Sequence, residues 1–199
     1  MTHTQEAEAA SAPQAGARPP ARLHHNAFVT ADLGQTRSFY EDLVGLPLIA
    51  TWTEDEVMHG GRRIYCHCFF GLQDGGALAF FQFANPADAE QFAATQQASP
   101  FVHLALAVDA ETQAGVLSRM QAAGYGPDEV YEINHGYCNS LYFHDPNGLL
   151  IELTVDHPDY EKIATEQRAK ARAELDRWLA GDHSDNNQYR ALPWPGQAS

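Results

Sequence analysis

Strand-like and helix-like patterns of apolar residues follow one another in a fixed order in the first half of this chain. Apolar and polar residues alternate over residues 23–29, which predicts a strand, and apolar residues then recur at helical spacing between Asp32, a candidate N-terminal cap, and Gly45. Three further strand patterns lie at about 46–52, 63–70 and 77–83. The predicted order is β-α-β-β-β.

The same order recurs in the second half. Residues 102–108 read as a strand, 110–123 as a helix, about 129–133 as a short strand, and 141–155 as a hairpin whose turn is the sequence HDPNG. We therefore predict an internal duplication and an α+β fold of two tandem βαβββ modules. The expected parts are a flexible tail (1–21), the first module (22–84), a connector helix (85–99), the second module (100–156) and a C-terminal amphipathic helix with its tail (157–199).

Composition narrows the classes of partner. The chain has 199 residues and a net charge of −14, which argues against nucleic acid and anionic membranes as partners. It contains no run of 18 apolar residues and no signal-peptide pattern at its N-terminus, so no membrane span or export is expected. The three cysteines are an odd number, which favours a reducing cytoplasm over a disulfide framework.

Two histidines and one carboxylate occupy comparable places in the two modules. His25 and His103 each lie in a first strand, and Glu152 lies in the last strand of the second module, where Gln82 is its expected counterpart in the first. A single strand histidine is more often a packing residue than a ligand. Two at equivalent positions, together with an acid, favour a site for a divalent transition metal with positions open for substrate or oxygen.

Three segments resemble the vicinal-oxygen-chelate superfamily, which includes lactoylglutathione lyases, bleomycin-resistance proteins and extradiol dioxygenases. They are LHHNAFVTADLGQTRSFYEDLVGLPL, FVHLALAVD and SLYFHDPNGLLIELTV, within residues 23–155. The resemblance implies a U-shaped mixed sheet around a metal held by His25, His103 and Glu152.

The second module is most similar to the extradiol branch of that superfamily. Tyr142 stands ten residues before Glu152, and His135 lies upstream in a His-Gly pair, as in those enzymes. The resemblance implies catalytic roles for Tyr142 and His135. The histidine that extradiol enzymes carry near the end of the first module is replaced by glycine and alanine at 75–77, which leaves His67 as a candidate acid–base residue or a structural one.

The function expected from this resemblance is ring cleavage of a small catechol-like aromatic by O2. The cofactor would be Fe(II), with Mn, Zn, Ni or Co as alternatives, and Phe81 and Phe143 are candidate substrate contacts. One alternative is a glyoxalase-like lyase or isomerase that acts on a dicarbonyl-type substrate with Gln82 as a fourth ligand. Another is a binding protein without catalytic activity that sequesters a drug.

A homodimer is also expected, because family members often pair two chains. The amphipathic helix over about 159–180 and the aromatic residues of the tail could form that interface. Covering the sheet of its own chain is the equally plausible role for the same helix.

Overall fold

A computed structural model of the protein describes residues 20–92, 99 and 101–190. Nearly all of the expected N-terminal tail, residues 93–98 of the connector helix, and the tail residues Leu192 and Trp194 lie outside the described residues. The elements are, in chain order, β1 (His25–Val29), α1 (Leu33–Arg37), β2 (Leu48–Met58), β3 (Gly61–Gly71), β4 (Ala77–Phe83), α2 (Pro86–Phe92), β5 (His103–Ala107), α3 (Ala110–Ala122), β6 (Val130–Asn134), β7 (Cys138–His144), β8 (Leu150–Asp156) and α4 (Tyr160–Leu179).

The strands form two four-stranded mixed sheets with the same topology. The first sheet has the order β1-β4-β3-β2 and the second has the order β5-β8-β7-β6. In each sheet the first strand pairs in parallel with the last strand of its module, and the other pairs are antiparallel. This repeat confirms the α+β fold of two tandem βαβββ modules followed by a C-terminal helix.

The first helix changes its winding halfway along. Asp32 caps it as predicted, since its Oδ1 atom accepts a hydrogen bond from the backbone N–H of Gln35 at 2.9 Å. The predicted single α-helix is instead α1 followed by a π-helical segment, Ser38–Val44. The backbone N–H groups of Gly45 and Leu46 both donate to the carbonyl oxygen of Tyr40, which closes the wider turn.

The two modules share a core on the helix side of their sheets. The rings of Phe39 and Phe143 lie 5.9 Å apart, and the hydroxyl of Tyr40 donates to Oδ2 of Asp145 at 2.9 Å. Tyr40 is 0% and Asp145 5% exposed. Because the buried Tyr40 hydroxyl donates its hydrogen bond to Asp145, this pair holds the helical segment of the first module on the hairpin turn of the second.

The β2–β3 hairpin is longer than the sequence pattern predicts. Its pairing continues as far as Met58 and Gly61, past the ends expected at about 52 and 63. Residues 53–57 are mostly exposed, so they lack the alternation that marks a half-buried strand. Ion pairing between Asp55 and Arg62 supports this outer part of the hairpin.

The C-terminal helix α4 has one inner and one outer surface. Ile163 is buried at its N-terminal end, whereas Leu175, Trp178 and Leu179 are exposed near its C-terminal end. Among the described residues, no helix combines the length and the apolar character needed to cross a membrane.

Candidate metal centre

The second sheet gathers three of the predicted site residues on the face turned away from the shared core, which we call its open face. Leu141, Ile151 and Leu153 belong to the core, so the alternate residues Tyr142 and Glu152 face the other way. The strand register sets Tyr142 opposite Glu152, and Glu152 opposite Ala105. His103, two residues before Ala105, shares this face.

Both oxygens of the Glu152 carboxylate are engaged. Its Oε2 atom lies 2.8 Å from Nε2 of His103, and its Oε1 atom accepts a hydrogen bond from the hydroxyl of Tyr142 at 2.7 Å. Glu152 is only 5% exposed, so its carboxylate is shielded from solvent. A buried carboxylate of this kind requires partners or a cation.

Tyr142 links this carboxylate to His135. The Nε2 atom of His135 lies 3.0 Å from the Tyr142 hydroxyl, which forms a continuous path from His135 to Glu152. Burial and the hydrogen bond to Glu152 raise the pKa of Tyr142 well above its ordinary value, so the hydroxyl keeps its proton at neutral pH. Burial lowers the pKa of His135, against the opposing effect of Glu152, and this favours the neutral imidazole.

The open face of the first sheet carries histidine and phenylalanine rings that contact one another. The His25 ring contacts Phe69 edge-on with centroids 5.7 Å apart, and its Nδ1 atom lies 2.8 Å from Nδ1 of His24. His67 stacks on Phe81 with centroids 3.6 Å apart, and its buried Nε2 atom has no hydrogen-bond partner among the residues that the structure describes. Burial, and secondarily the nearby His25, lowers the pKa of His67.

The strand register corrects the predicted match between the modules. His25 pairs with Ala77 and Ala27 with Ala79, just as His103 pairs with Leu150 and Ala105 with Glu152. The counterpart of Glu152 is therefore Ala79, which has no ligating atom, and the assignment of Gln82 to that place is wrong. The Oε1 atom of Gln82 accepts a hydrogen bond from the backbone N–H of Leu33 at 2.8 Å, at the start of α1.

One of the two predicted substrate contacts is also wrong. Phe143 is 0% exposed and packs against Phe39 in the shared core, so it cannot touch a ligand on the open face. Phe81 is half-buried and lies on the open face beside His67. The two cysteines that flank His67, Cys66 and Cys68, point to the opposite face, since Cys68 belongs to the core.

The predicted metal ligands lie in two separate groups within one chain, which we call half-sites. His25 lies in one sheet, His103 and Glu152 lie in the other, and residues 20–92, 99 and 101–190 contain no group of three or more His, Cys, Asp or Glu side chains that could hold a metal ion. Both histidines are exposed, and each lies on a strand at the edge of its sheet. Apolar residues beside these strands are exposed as well, Leu23 at 60% and Val102 at 51%.

Two residues near Glu152 were not predicted from the sequence. Tyr131 stacks on Tyr142 with centroids 5.4 Å apart and an interplanar angle of 17°, and Arg190 places Nη1 3.1 Å from Nδ1 of His135. The register of β6 against β7 would have identified Tyr131. Arg190 lies in a polar tail without periodicity, where the aromatic residues indicated packing but not its position.

Comparisons with known proteins agree with this architecture. The sequence profile of the Glyoxalase/Bleomycin resistance protein/Dioxygenase superfamily matches residues 22–153. No curated protein matches the chain.

Similar solved structures include the fosfomycin resistance protein FosX from Listeria monocytogenes, at 17% identity over 72% of this chain and 98% of that chain, with a TM-score of 0.51. A glyoxylase/bleomycin resistance protein/dioxygenase domain from Frankia sp. EAN1pec is 13% identical over 71% of this chain and 95% of that chain, with a TM-score of 0.50. A lactoylglutathione lyase from Agrobacterium tumefaciens is 21% identical over 69% and 95%, with a TM-score of 0.45. At these identities the likeness to the first two structures shows the fold alone. With the profile match over both modules, the chain belongs to the Glyoxalase/Bleomycin resistance protein/Dioxygenase superfamily.

Proposed function

We propose that the protein is a metal-dependent enzyme whose sites form between two copies of the chain. His25 of one copy would join His103 and Glu152 of a second copy, and two-fold symmetry would create two equal sites. The support is the separation of the half-sites in one chain, on exposed edge strands. Pairing β1 of one copy with β5 of the other would also cover Leu23 and Val102, which are exposed in the single chain.

The donor set fits a divalent transition metal. Two imidazoles and one carboxylate are the ligands that non-haem Fe(II) and Mn(II) accept with positions left open, and Ala79 adds no fourth ligand. His103 and Glu152 already lie within 2.8 Å of each other, as two ligands of one ion must lie close together. When bound, Fe(II) or a similar ion would act as a Lewis acid that holds two adjacent substrate oxygens.

The residues around this set suit a planar diol with ionisable hydroxyls. Tyr142 holds a proton on its hydroxyl and can donate it to a substrate oxygen, while His135 behind it can exchange a proton with Tyr142. On the other half-site, Phe81 and Phe69 offer aromatic surface, and neutral His67 lies between them as a candidate proton acceptor.

From this arrangement we infer ring cleavage of a catechol by O2. A carbon–carbon bond next to the diol would break, and both atoms of O2 would enter the ring-opened product. The single observation that carries the proposal is the Glu152 carboxylate held between His103 and the Tyr142 hydroxyl, while Ala79 stands where a fourth ligand would be. A lyase with four protein ligands would need an acid or amide at position 79.

The test is an oxygen-uptake assay on protein purified anaerobically and loaded with Fe(II). Catechol and 3-methylcatechol should each consume one O2 per diol, whereas resorcinol, whose hydroxyls are not adjacent, should consume none. Full metal occupancy without O2 uptake on any catechol would refute the dioxygenase. Conversion of a dicarbonyl adduct under anaerobic conditions would then support the lyase, and tight ligand binding without metal would support the binding protein.

A further inference from the structure

The segment that follows α4 turns back and is anchored along that helix. We call residues 182–190 the returning segment. Arg177 on α4 donates to the hydroxyl of Ser184 at 2.8 Å, and the hydroxyl of Tyr189 donates to Oε2 of Glu166 at 2.6 Å. Contacts near both of its ends therefore fix its path beside the helix.

The same segment lies directly on the turn that carries His135. The side-chain amide of Asn187 donates to the carbonyl oxygen of His135 at 3.3 Å. Gly136 has a φ of +87°, and a Cβ atom there would lie 1.9 Å from the carbonyl oxygen of Tyr189. Only glycine permits so close an approach of the two backbones. The turn and the segment therefore fit each other through backbone contact.

This contact brings Arg190 to the far side of the His135 ring. Its Nη1 atom lies 3.1 Å from Nδ1 of His135, whose Nε2 atom faces the hydroxyl of Tyr142 at 3.0 Å. A guanidinium can only donate hydrogen bonds, so Nδ1 must accept. A neutral imidazole then carries its proton on Nε2 and donates it to Tyr142, which in turn donates to Glu152.

The other tautomer of His135 would break this series of hydrogen bonds. With its proton on Nδ1, His135 would present an acceptor to the Tyr142 hydroxyl, which has a single proton and already donates it to Glu152. One hydrogen bond of the path would then be lost. Arg190 disfavours this tautomer, because the proton on Nδ1 would point at a guanidinium N–H.

We propose that Arg190 is a positioning residue of the site, which holds His135 in the Nε2–H tautomer and thereby directs the Tyr142 hydroxyl towards Glu152. The returning segment is thus part of the site and not a disposable tail. The effect on turnover rests on the proposed function, whereas the tautomer is a property of the protein without metal or substrate.

The tautomer can be measured directly by nitrogen NMR. The full-length, metal-free protein is labelled with 15N-histidine and studied at about pH 8, above the ordinary histidine pKa of about 6.5. His135 is assigned by the signals that disappear in His135→Asn. In the wild type we expect a protonated Nε2 and an unprotonated Nδ1. In Arg190→Ala both signals should shift towards the average of two exchanging tautomers, and Arg190→Lys should restore most of the difference.

Arg172→Ala is the matched control, because it removes the same charge from the exposed surface of α4. It should leave the His135 signals as in the wild type. The proposal is overturned if Arg190→Ala has wild-type His135 signals, or if Arg172→Ala changes them equally. In the Fe(II)-loaded enzyme, Arg190→Ala should lower kcat with little change in KM. Absence of any turnover in the wild type would contradict the proposed function but leave the tautomer result standing.

Discussion

His103 and Tyr142 hold the Glu152 carboxylate from two sides, at 2.8 Å on one oxygen and 2.7 Å on the other. The carboxylate is almost fully buried, yet the histidine beside it is exposed. The open side of this group is therefore the imidazole, which is where a second copy of the chain could add His25. These contacts are the basis for the effects expected from substitution of His103, Glu152 and Tyr142.

Substitution of His103 or Glu152 should greatly weaken metal binding. We expect His103→Ala and Glu152→Gln to weaken binding of Fe(II) or Mn(II) by more than about 100-fold, because loss of a direct ligand should exceed the 10- to 100-fold typical of outer residues. Calorimetric titration of the purified variants measures this, and His144→Ala, at the exposed end of β7, is the control. Full metal occupancy in His103→Ala would make that histidine structural.

Two inactive variants should complement each other if the sites are shared between copies. His25→Ala and His103→Ala should each bind no metal alone. After unfolding and refolding together, half of the dimers are mixed and each has one intact site of two, so metal capacity should return to about a quarter of the wild-type value. A mixture that binds no metal, although mass spectrometry shows mixed dimers, would contradict a shared site.

The Tyr142 hydroxyl should be needed for turnover and not for metal binding. Tyr142→Phe removes the proton donor beside Glu152 and should lower kcat about 100-fold, the lower end of the usual effect of acid–base groups. Metal content should stay at the wild-type level. Tyr131→Phe is the control, since it keeps the ring stacked on Tyr142 and should retain nearly full activity. Equal losses in the two variants would point to packing as the cause.

The buried His67 should lower the stability of the protein, most of all at acidic pH. Its buried Nε2 atom finds no hydrogen-bond partner within the described part of the chain, so His67→Phe should raise the free energy of unfolding by about 1 kcal/mol. Because burial lowers the pKa of His67, the unfolded chain binds the proton first, and wild-type stability should fall as the pH drops below about 6.5. Urea titrations from pH 8 to pH 5 should show a shallower fall in the variant. Parallel curves would mean that His67 is protonated equally in both states.

Gly136 should be more sensitive to substitution than another glycine of similar backbone conformation. Gly124 also has a positive φ, +97°, but a Cβ there would meet nothing within 4 Å. Gly124→Ala should therefore cost only the backbone strain, about 1–2 kcal/mol. Gly136→Ala should cost more and should release the returning segment, detected as faster trypsin cleavage after Arg190. Equal cleavage rates in the two variants would argue against a docked segment.

The duplicated pattern predicts the two βαβββ modules and places His25 and His103 on their first strands, as the structure has them, because strand starts align well between repeats. The same pattern assigns wrong counterparts towards the strand ends. Gln82 stands three residues beyond Ala79, and an odd offset along a strand turns the side chain to the opposite face. Phe143 fails for the same reason, since it neighbours Tyr142 and the two cannot share a face.

Other features could not be obtained from local patterns at all. Whether His25 approaches His103 depends on how the modules pack. That packing rests on contacts such as the one between Arg119 and the carbonyl oxygen of Leu43 at 2.7 Å, which leave no periodic pattern in the sequence. The contact of Arg190 with His135 depends on the reversal of the chain after α4, where the residues are polar and irregular.

The buried bond between Tyr40 and Asp145 has a consequence for how such duplicated genes can diverge. It ties the two halves of one polypeptide together, so a half exchanged with that of a relative must bring a matching partner for this pair or leave a polar group stranded in the core. Recombination between such genes is therefore constrained by this interior pair.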